Sequence, residues 1–220
     1  MINLGDIFPD FHADTTIGPI DFHNWLGDSW GVLFSHPADF TPVCTTELAR
    51  LIKLYPEFVK RNVKIIALSC DTTDNHKEWC DDIKTYAGSS ESPFPYPIIS
   101  DEKRDLAVRL SMLDPDEKDS AGLPVTARAV FIIGPNKKMR LSILYPATTG
   151  RNFDEILRVI DSLQLTDKFP VATPANWKPG DQVMVQPTVP QDEVGSMFPL
   201  VTEVALPSGK KYLRKTPHPH

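Results

Sequence analysis

The chain has 220 residues, 41% of them hydrophobic, and a formal net charge of −6. That length is enough for one full core plus an appendage, and an acidic balance without an extended basic run excludes nucleic acid as the main partner, because such binding needs many Lys or Arg contacts to phosphate. No window of about eighteen apolar residues occurs, so no integral membrane association is expected.

In chain order, the amino-terminal stretch "MINLGDIFPDF" carries Asp6 and Asp10 where a signal peptide would be basic, so no such peptide is expected. "WGVLFSH" (Trp30 to His36) is a short apolar run rich in β-branched and aromatic residues, as expected of a buried central strand. A helix pattern covers Thr45 to Arg61, followed by a second buried strand, "VKIIALSC" (Val63 to Cys70), and a helix from Asn75 to Tyr86. "PIIS" is a third strand and Lys103 to Leu110 a third helix. "RAVFIIG" and "MRLSILYP" then form a β-hairpin turning at "GPNKK". In Phe153 to Leu163 the residues Phe153, Ile156, Leu157, Ile160 and Leu163 build one apolar helical stripe. This order predicts an α/β fold, a thioredoxin-like core with a mixed central sheet.

Composition shifts after about Thr166: nine of the 21 prolines fall in the last 55 residues. Only short strand-like runs occur there, "TEVALP" and "KKYLRKT", joined by "SG". The prediction is a core domain over 1–165 and a small irregular C-terminal domain over 166–220. Edge strands and an irregular proline-rich tail leave apolar groups such as Trp177, Met197 and Phe198 that a lone core would not cover, which points to a homodimer with the C-terminal segment contributing to the interface. The basic cluster Lys210, Lys211, Arg214 and Lys215 reads as a solvated strand face.

The stretch with chemistry in it is "SHPADFTPVCTTEL" (Ser35 to Leu48). A strand ends at His36, Pro37 and Pro42 force a tight connection, Thr41 offers an N-cap hydroxyl, and Pro42 suits the first helical position. Cys44 then lies in the first turn of a helix, with Glu47 close behind. Unpaired N–H groups and the positive end of the helix dipole favour a thiolate there. Spacing alone leaves two readings open, a nucleophile or an inert cysteine packed as a small apolar residue.

"HPADFTPVCTTEL" closely resembles the active-site signature of peroxiredoxins, Pro-x-x-x-Thr-x-x-Cys, met here by Pro37, Thr41 and Cys44. "GDSWGVLFSHP", "PVTARAVFIIGP", "LSILYPATTGRNFDEILRVIDSLQLT", "VATPANWKPGD" and "PSGKKYLRKTP" extend the similarity from Leu4 to about Pro217, to the one-Cys class that includes peroxiredoxin six. The resemblance implies an AhpC/TSA-type domain and a thiol-dependent peroxidase acting on hydrogen peroxide and organic or phospholipid hydroperoxides. Cys44 would be the peroxidatic cysteine, oxidised to sulfenic acid; Thr41 would bond the peroxide, Pro37 would shield the site, and Arg128 would stabilise thiolate and oxyanion. On its own, Arg128 reads as a surface ion-pair residue. His36 is either a hydrogen-bonding neighbour of the site or a strand-end histidine satisfied by backbone.

Counting the remaining thiols supports the one-Cys mechanism. Cys70 closes a strand and is expected to be buried, Cys80 follows Trp79 on a helix, and no cysteine follows Cys80 where two-Cys relatives carry a resolving thiol. An external thiol, such as glutathione delivered by a partner protein, would therefore resolve the sulfenic acid. Three cysteines without Cys-x-x-Cys fit a reducing cytoplasm, and His12, His23, His76, His218 and His220 show no ligand spacing, so neither a metal nor a bound cofactor is expected. Two alternatives remain. "GDSWG" matches Gly-x-Ser-x-Gly, and the class resemblance implies a phospholipase A2-type triad of Ser29, His23 and a third position that is Asn136 here; but Ser29 precedes a strand instead of following one, and asparagine lacks the carboxylate charge. A non-catalytic redox sensor would use the same thiolate without turnover.

Overall fold

The computed structural model describes residues 2–90 and 92–219. The backbone separates into two compact units, residues 1–153 and 154–220. In the first, β1 (His12–Ala13) and β2 (Ile20–Asp21) lead into α1 (Phe22–Leu26), then β3 (Trp30–Ser35), α2 (Pro42–Lys60), β4 (Val63–Ser69), α3 (Thr73–Ala87), β5 (Ile98–Ser100) and α4 (Asp105–Arg109). A hairpin of β6 (Leu113–Lys118) and β7 (Pro124–Thr126) follows, then β8 (Arg128–Ile133) and β9 (Met139–Tyr145). The main sheet has the order β5-β4-β3-β8-β9. β3 runs parallel to β4 and antiparallel to β8, so Leu33 faces Ile66 on one side and Phe131 on the other.

The continuous apolar character of β3 has a simple cause: all six of its residues are buried, because the sheet is covered on both faces. One core cluster contains Phe8, Phe22, Leu33, Ile66, Ile99, Met112 and Phe131. α2 begins three residues before the expected Thr45, with Pro42 at its first position, where a missing N–H costs nothing. Thr41 is its N-cap residue with extended backbone, yet its hydroxyl does not cap the helix. The third helix is shorter than expected, starting at Asp105 behind Arg104, whose φ is +63°. Cys70 lies one residue beyond β4 and is only partly buried, in contrast to the expected burial.

α5 (Phe153–Lys168) runs five residues past Leu163, and all but its first residue belong to the second unit. β10 (Val171–Ala172), β11 (Val183–Val185), α6 (Val194–Met197), β12 (Thr202–Glu203) and β13 (Arg214–Thr216) complete that unit, with a sheet of order β10-β11-β13-β12. Trp177 and Phe198, expected to lack cover, are buried in a separate cluster with Leu165, Val171, Val183, Val185, Val189 and Val194; Met197 stays exposed. Arg214 also departs from the solvated reading. It is buried, donating to the carbonyls of Val189 and Gln186 at 2.9 and 2.7 Å.

Candidate active site

Cys44 is the third residue of α2 and has no solvent-exposed surface. β8 begins with Arg128, and the antiparallel register against β3 carries its side chain to the first turns of α2. Arg128 Nη1 donates to Cys44 Sγ at 3.3 Å and to Glu47 Oε2 at 2.8 Å. Its Nε and Nη2 both donate to the carbonyl of Ala147, at 2.9 and 2.6 Å, which locks the guanidinium plane. Far from being a surface ion-pair residue, Arg128 is 3% exposed.

Glu47 joins a second arginine to this group. Its Oε1 accepts from the backbone N–H and Nε of Arg151 at 2.7 and 2.9 Å, and its Oε2 accepts from Arg151 Nη2 at 2.6 Å. Arg151 Nη1 donates to the carbonyl of Ala129, and the guanidinium lies over the rings of Phe34 and Phe153 at 5.4 and 5.6 Å. Burial pushes the Glu47 carboxyl up, but the bonds from Arg151 and the charge of Arg128 outweigh it and hold the group below its ordinary range. Two guanidinium charges against one carboxylate leave one positive charge uncompensated in a buried site. Such an arrangement favours an anion at Sγ and stabilises negative charge developing beside it.

Thr41 sits one turn ahead of Cys44, with its hydroxyl donating to the carbonyl of Ala38 at 2.9 Å. Its own carbonyl accepts from Thr45 N–H and from the Thr45 hydroxyl. Pro37 is buried two residues past β3. His36 is fully buried, tied by its N–H to the Leu68 carbonyl and by its carbonyl to the Thr126 hydroxyl, while its Nε2 meets Asp39 Oδ1 at 2.8 Å. The structure thus joins Cys44 directly to Arg128; Thr41 and Pro37 belong to the loop leading into the same helix.

Sequence reasoning missed Arg151, Asp39 and His76 and read Glu47 only as a first-turn acid. A signal for Glu47 was present: it interrupts the buried stripe of Cys44, Leu48, Leu51 and Ile52, where an unpaired carboxylate would be costly. The cysteines other than Cys44 have a different environment. Burial pushes the Cys70 thiol up to about 11 and the Cys80 thiol up to about 12.

Ser29, His23 and Asn136 do not form a triad. The Ser29 hydroxyl donates to Asn62 Oδ1 at 3.0 Å, His23 Nε2 bonds the Phe8 carbonyl at 2.8 Å, and Asn136 Oδ1 accepts from the Lys138 N–H at 3.2 Å. No hydrogen bond joins the three among the described residues. The glycines of "GDSWG" have local reasons: Gly27 has φ +58°, and a Cβ on Gly31 would come within 2.9 Å of Leu26 Cδ1.

A buried cysteine on the first turn of a helix, bonded by a strand-borne arginine in a thioredoxin-like sheet, is the setting of a thiol peroxidase. Residues 4–142 match the model of the AhpC/TSA family, and 162–198 match that of the C-terminal domain of 1-Cys peroxiredoxin; the chain belongs to this family and is a one-Cys peroxiredoxin. Peroxiredoxin-6 of Rattus norvegicus is 65% identical over 218 residues, covering 98% of this chain and 97% of its own. A mutant form of peroxiredoxin 6 from Arenicola marina superposes with a TM-score of 0.98 at 63% identity, covering 100% of this chain and 99% of that one. The yeast mitochondrial 1-Cys peroxiredoxin, described as resolved via glutathione/thioredoxin systems, superposes with a TM-score of 0.88 at 47% identity over 99% of this chain and 100% of its own.

Proposed function

We propose that Cys44 is the peroxidatic residue and that the observation carrying this is the contact of 3.3 Å between its Sγ and Arg128 Nη1, inside a site with one excess positive charge. The thiolate attacks the terminal oxygen of a hydroperoxide. An S–O bond forms as the O–O bond breaks, and the departing alkoxide or hydroxide takes a proton to leave as alcohol or water. Arg128 stabilises both the thiolate and the leaving oxyanion. Thr41 orients the peroxide through its hydroxyl, and Pro37 keeps water from the sulfur. Hydrogen peroxide and organic or phospholipid hydroperoxides share the reacting group and are the proposed substrates, in antioxidant defence and redox homeostasis.

The cycle closes with an external thiol, as described for the yeast relative; glutathione delivered by a partner protein fits a chain whose two other thiols are held protonated by burial. Residues 1–165 would form the AhpC/TSA-type domain and 166–220 the C-terminal one-Cys domain. The compartment is the cytoplasm, where the three free cysteines remain reduced. A homodimer is proposed through the edge strand β9, whose Met139 is bonded to Gly5 and Asp6 but whose backbone beyond it meets no further strand among the described residues, and whose Leu144 is 64% exposed.

Stopped-flow peroxide consumption by wild type and Cys44→Ser, with glutathione and other small thiols, tests the reading. Activity is expected to vanish in the variant. Without added thiol, one equivalent of peroxide should add a single oxygen to Cys44, seen by intact mass; a stoichiometric loss of two hydrogens mapping to Cys44 with Cys70 or Cys80 would show an internal resolving cysteine instead.

A further inference from the structure

Behind the active-site loop lies a fully buried trio outside the machinery described above, His36, Asp39 and His76. Asp39 belongs to the loop between β3 and α2, and His76 to α3. Hydrogen-bond counting decides the protonation of His76. Its Nε2 lies 3.1 Å from the carbonyl oxygen of Ile99, which can only accept, so Nε2 carries a proton. Its Nδ1 lies 2.5 Å from Asp39 Oδ2, and a carboxylate also only accepts. A neutral imidazole has one N–H and cannot serve both. The other carboxylate oxygen, Oδ1, receives the Nε2–H of His36 at 2.8 Å. Burial pushes the Asp39 carboxyl up, yet the bonds from His36 and His76 outweigh it and hold it down at about 2, so the carboxylate accepts from both rings.

This buried pair sits where the loop needs an anchor. Cys44 has no exposed surface, so a second thiol can reach its oxidised sulfur only after the loop 37–41 and the first turn of α2 move aside. Asp39 ties that loop to its surroundings: its side chain meets His36, the residue directly after β3, and His76 on α3, and its N–H donates to Asp71 Oδ2 at 3.0 Å. α3 holds the first turn a second time, through Trp79 Nε1 donating to the Thr45 hydroxyl at 3.2 Å.

We propose that His76, an imidazolium ion-paired with Asp39, is a positioning residue that latches the loop 37–41 over Cys44 and sets how fast an external thiol reaches the oxidised sulfur. The latch deepens the reading of Cys44 as peroxidatic and rests on it. In the gated step a thiolate attacks Cys44 sulfenic acid. The S–S bond forms as the S–O bond breaks, the oxygen leaves as water with the thiol's proton, and the incoming sulfur is oxidised while that of Cys44 is reduced.

Two measurements on the full chain test this. With isotope-labelled histidines assigned by single substitution, a long-range proton–nitrogen correlation spectrum of the wild type at neutral pH should show His76 protonated on both ring nitrogens, a signature lost in Asp39→Asn. A neutral tautomer at His76 overturns the assignment, whatever the other histidines show. In the second, Cys44 sulfenic acid made with one equivalent of hydrogen peroxide is mixed with glutathione. His76→Gln should speed mixed-disulfide formation roughly tenfold, the factor implied by losing a charged hydrogen bond, while slowing the peroxide step that needs the loop seated. Damage without a latch slows both steps, and that result, or a resolution rate changed by less than about twofold against the roughly tenfold expected, overturns the proposal. Wild type that forms no sulfenic acid at Cys44 would instead sink the reading of the site, whatever the histidine spectrum shows.

Discussion

The guanidinium of Arg128 donates at once to a sulfur, a carboxylate and a carbonyl. Its replacement can be read cleanly, because Glu47 keeps its bonds to Arg151 when Arg128 is gone. Arg128→Met should slow peroxide reduction more than about tenfold, since a hydrogen bond to a charged group is worth roughly 1.5–3 kcal/mol. Stopped-flow rates of the first step measure it, and a change below about twofold would mark Arg128 as structural. The place of Cys44 on the first turn of its helix was legible from Pro42 and the apolar run before it, whereas its role was left open between a nucleophile and a packed thiol. Arg128 entered through family resemblance only, because one arginine at a strand start carries no periodic signal. Arg151 was invisible for a similar reason: it lies in a loop, and its partner, Glu47, is 104 residues away in sequence.

Elements explain what single residues do not. The central strands of the main sheet were legible because β3, β4 and β8 are buried on both faces nearly throughout and read as apolar runs, interrupted only by the exposed Lys64 in β4 and opened in β8 by Arg128. The β6–β7 hairpin was missed, because its sequence "LDPDEK" is half exposed, contains a proline and has no alternation. The loop between β3 and α2 is held by a buried carboxylate, and this gives the fold an acid limit. Asp39 falls from an ordinary 3.8 to about 2 in the folded chain. A depressed carboxyl stabilises the native state fully above its unfolded value, and that stabilisation, roughly 2 kcal/mol, is lost as pH falls through the folded value. Thermal melts of wild type should therefore drop between about pH 4 and pH 2, with a shallower drop in Asp39→Asn. Equal slopes would remove Asp39 from the account.

At the scale of the molecule, the tail was read correctly as small, proline-rich and short-stranded but wrongly as bare. Its short β-strands bring Trp177 and Phe198 together with residues as distant as Leu165 and Val194, a pattern that no local window displays. The case for a homodimer therefore rests on its other ground, an edge strand, which is β9. Leu144→Glu should convert a dimer to a monomer in light scattering at micromolar concentration, by placing a charge where an apolar edge would pair; a dimer that persists would move the interface elsewhere. The complete burial of Cys44 has one more consequence, for the shape of a rate curve. When a reacting atom must first be uncovered, raising the concentration of its reaction partner accelerates the reaction only until uncovering becomes the slow event. Turnover plotted against thiol concentration should level off at a ceiling common to all small thiols, strong nucleophiles and weak ones alike, so that the protein's own internal clock, and not the cell's thiol supply, limits how quickly it recovers from an oxidant.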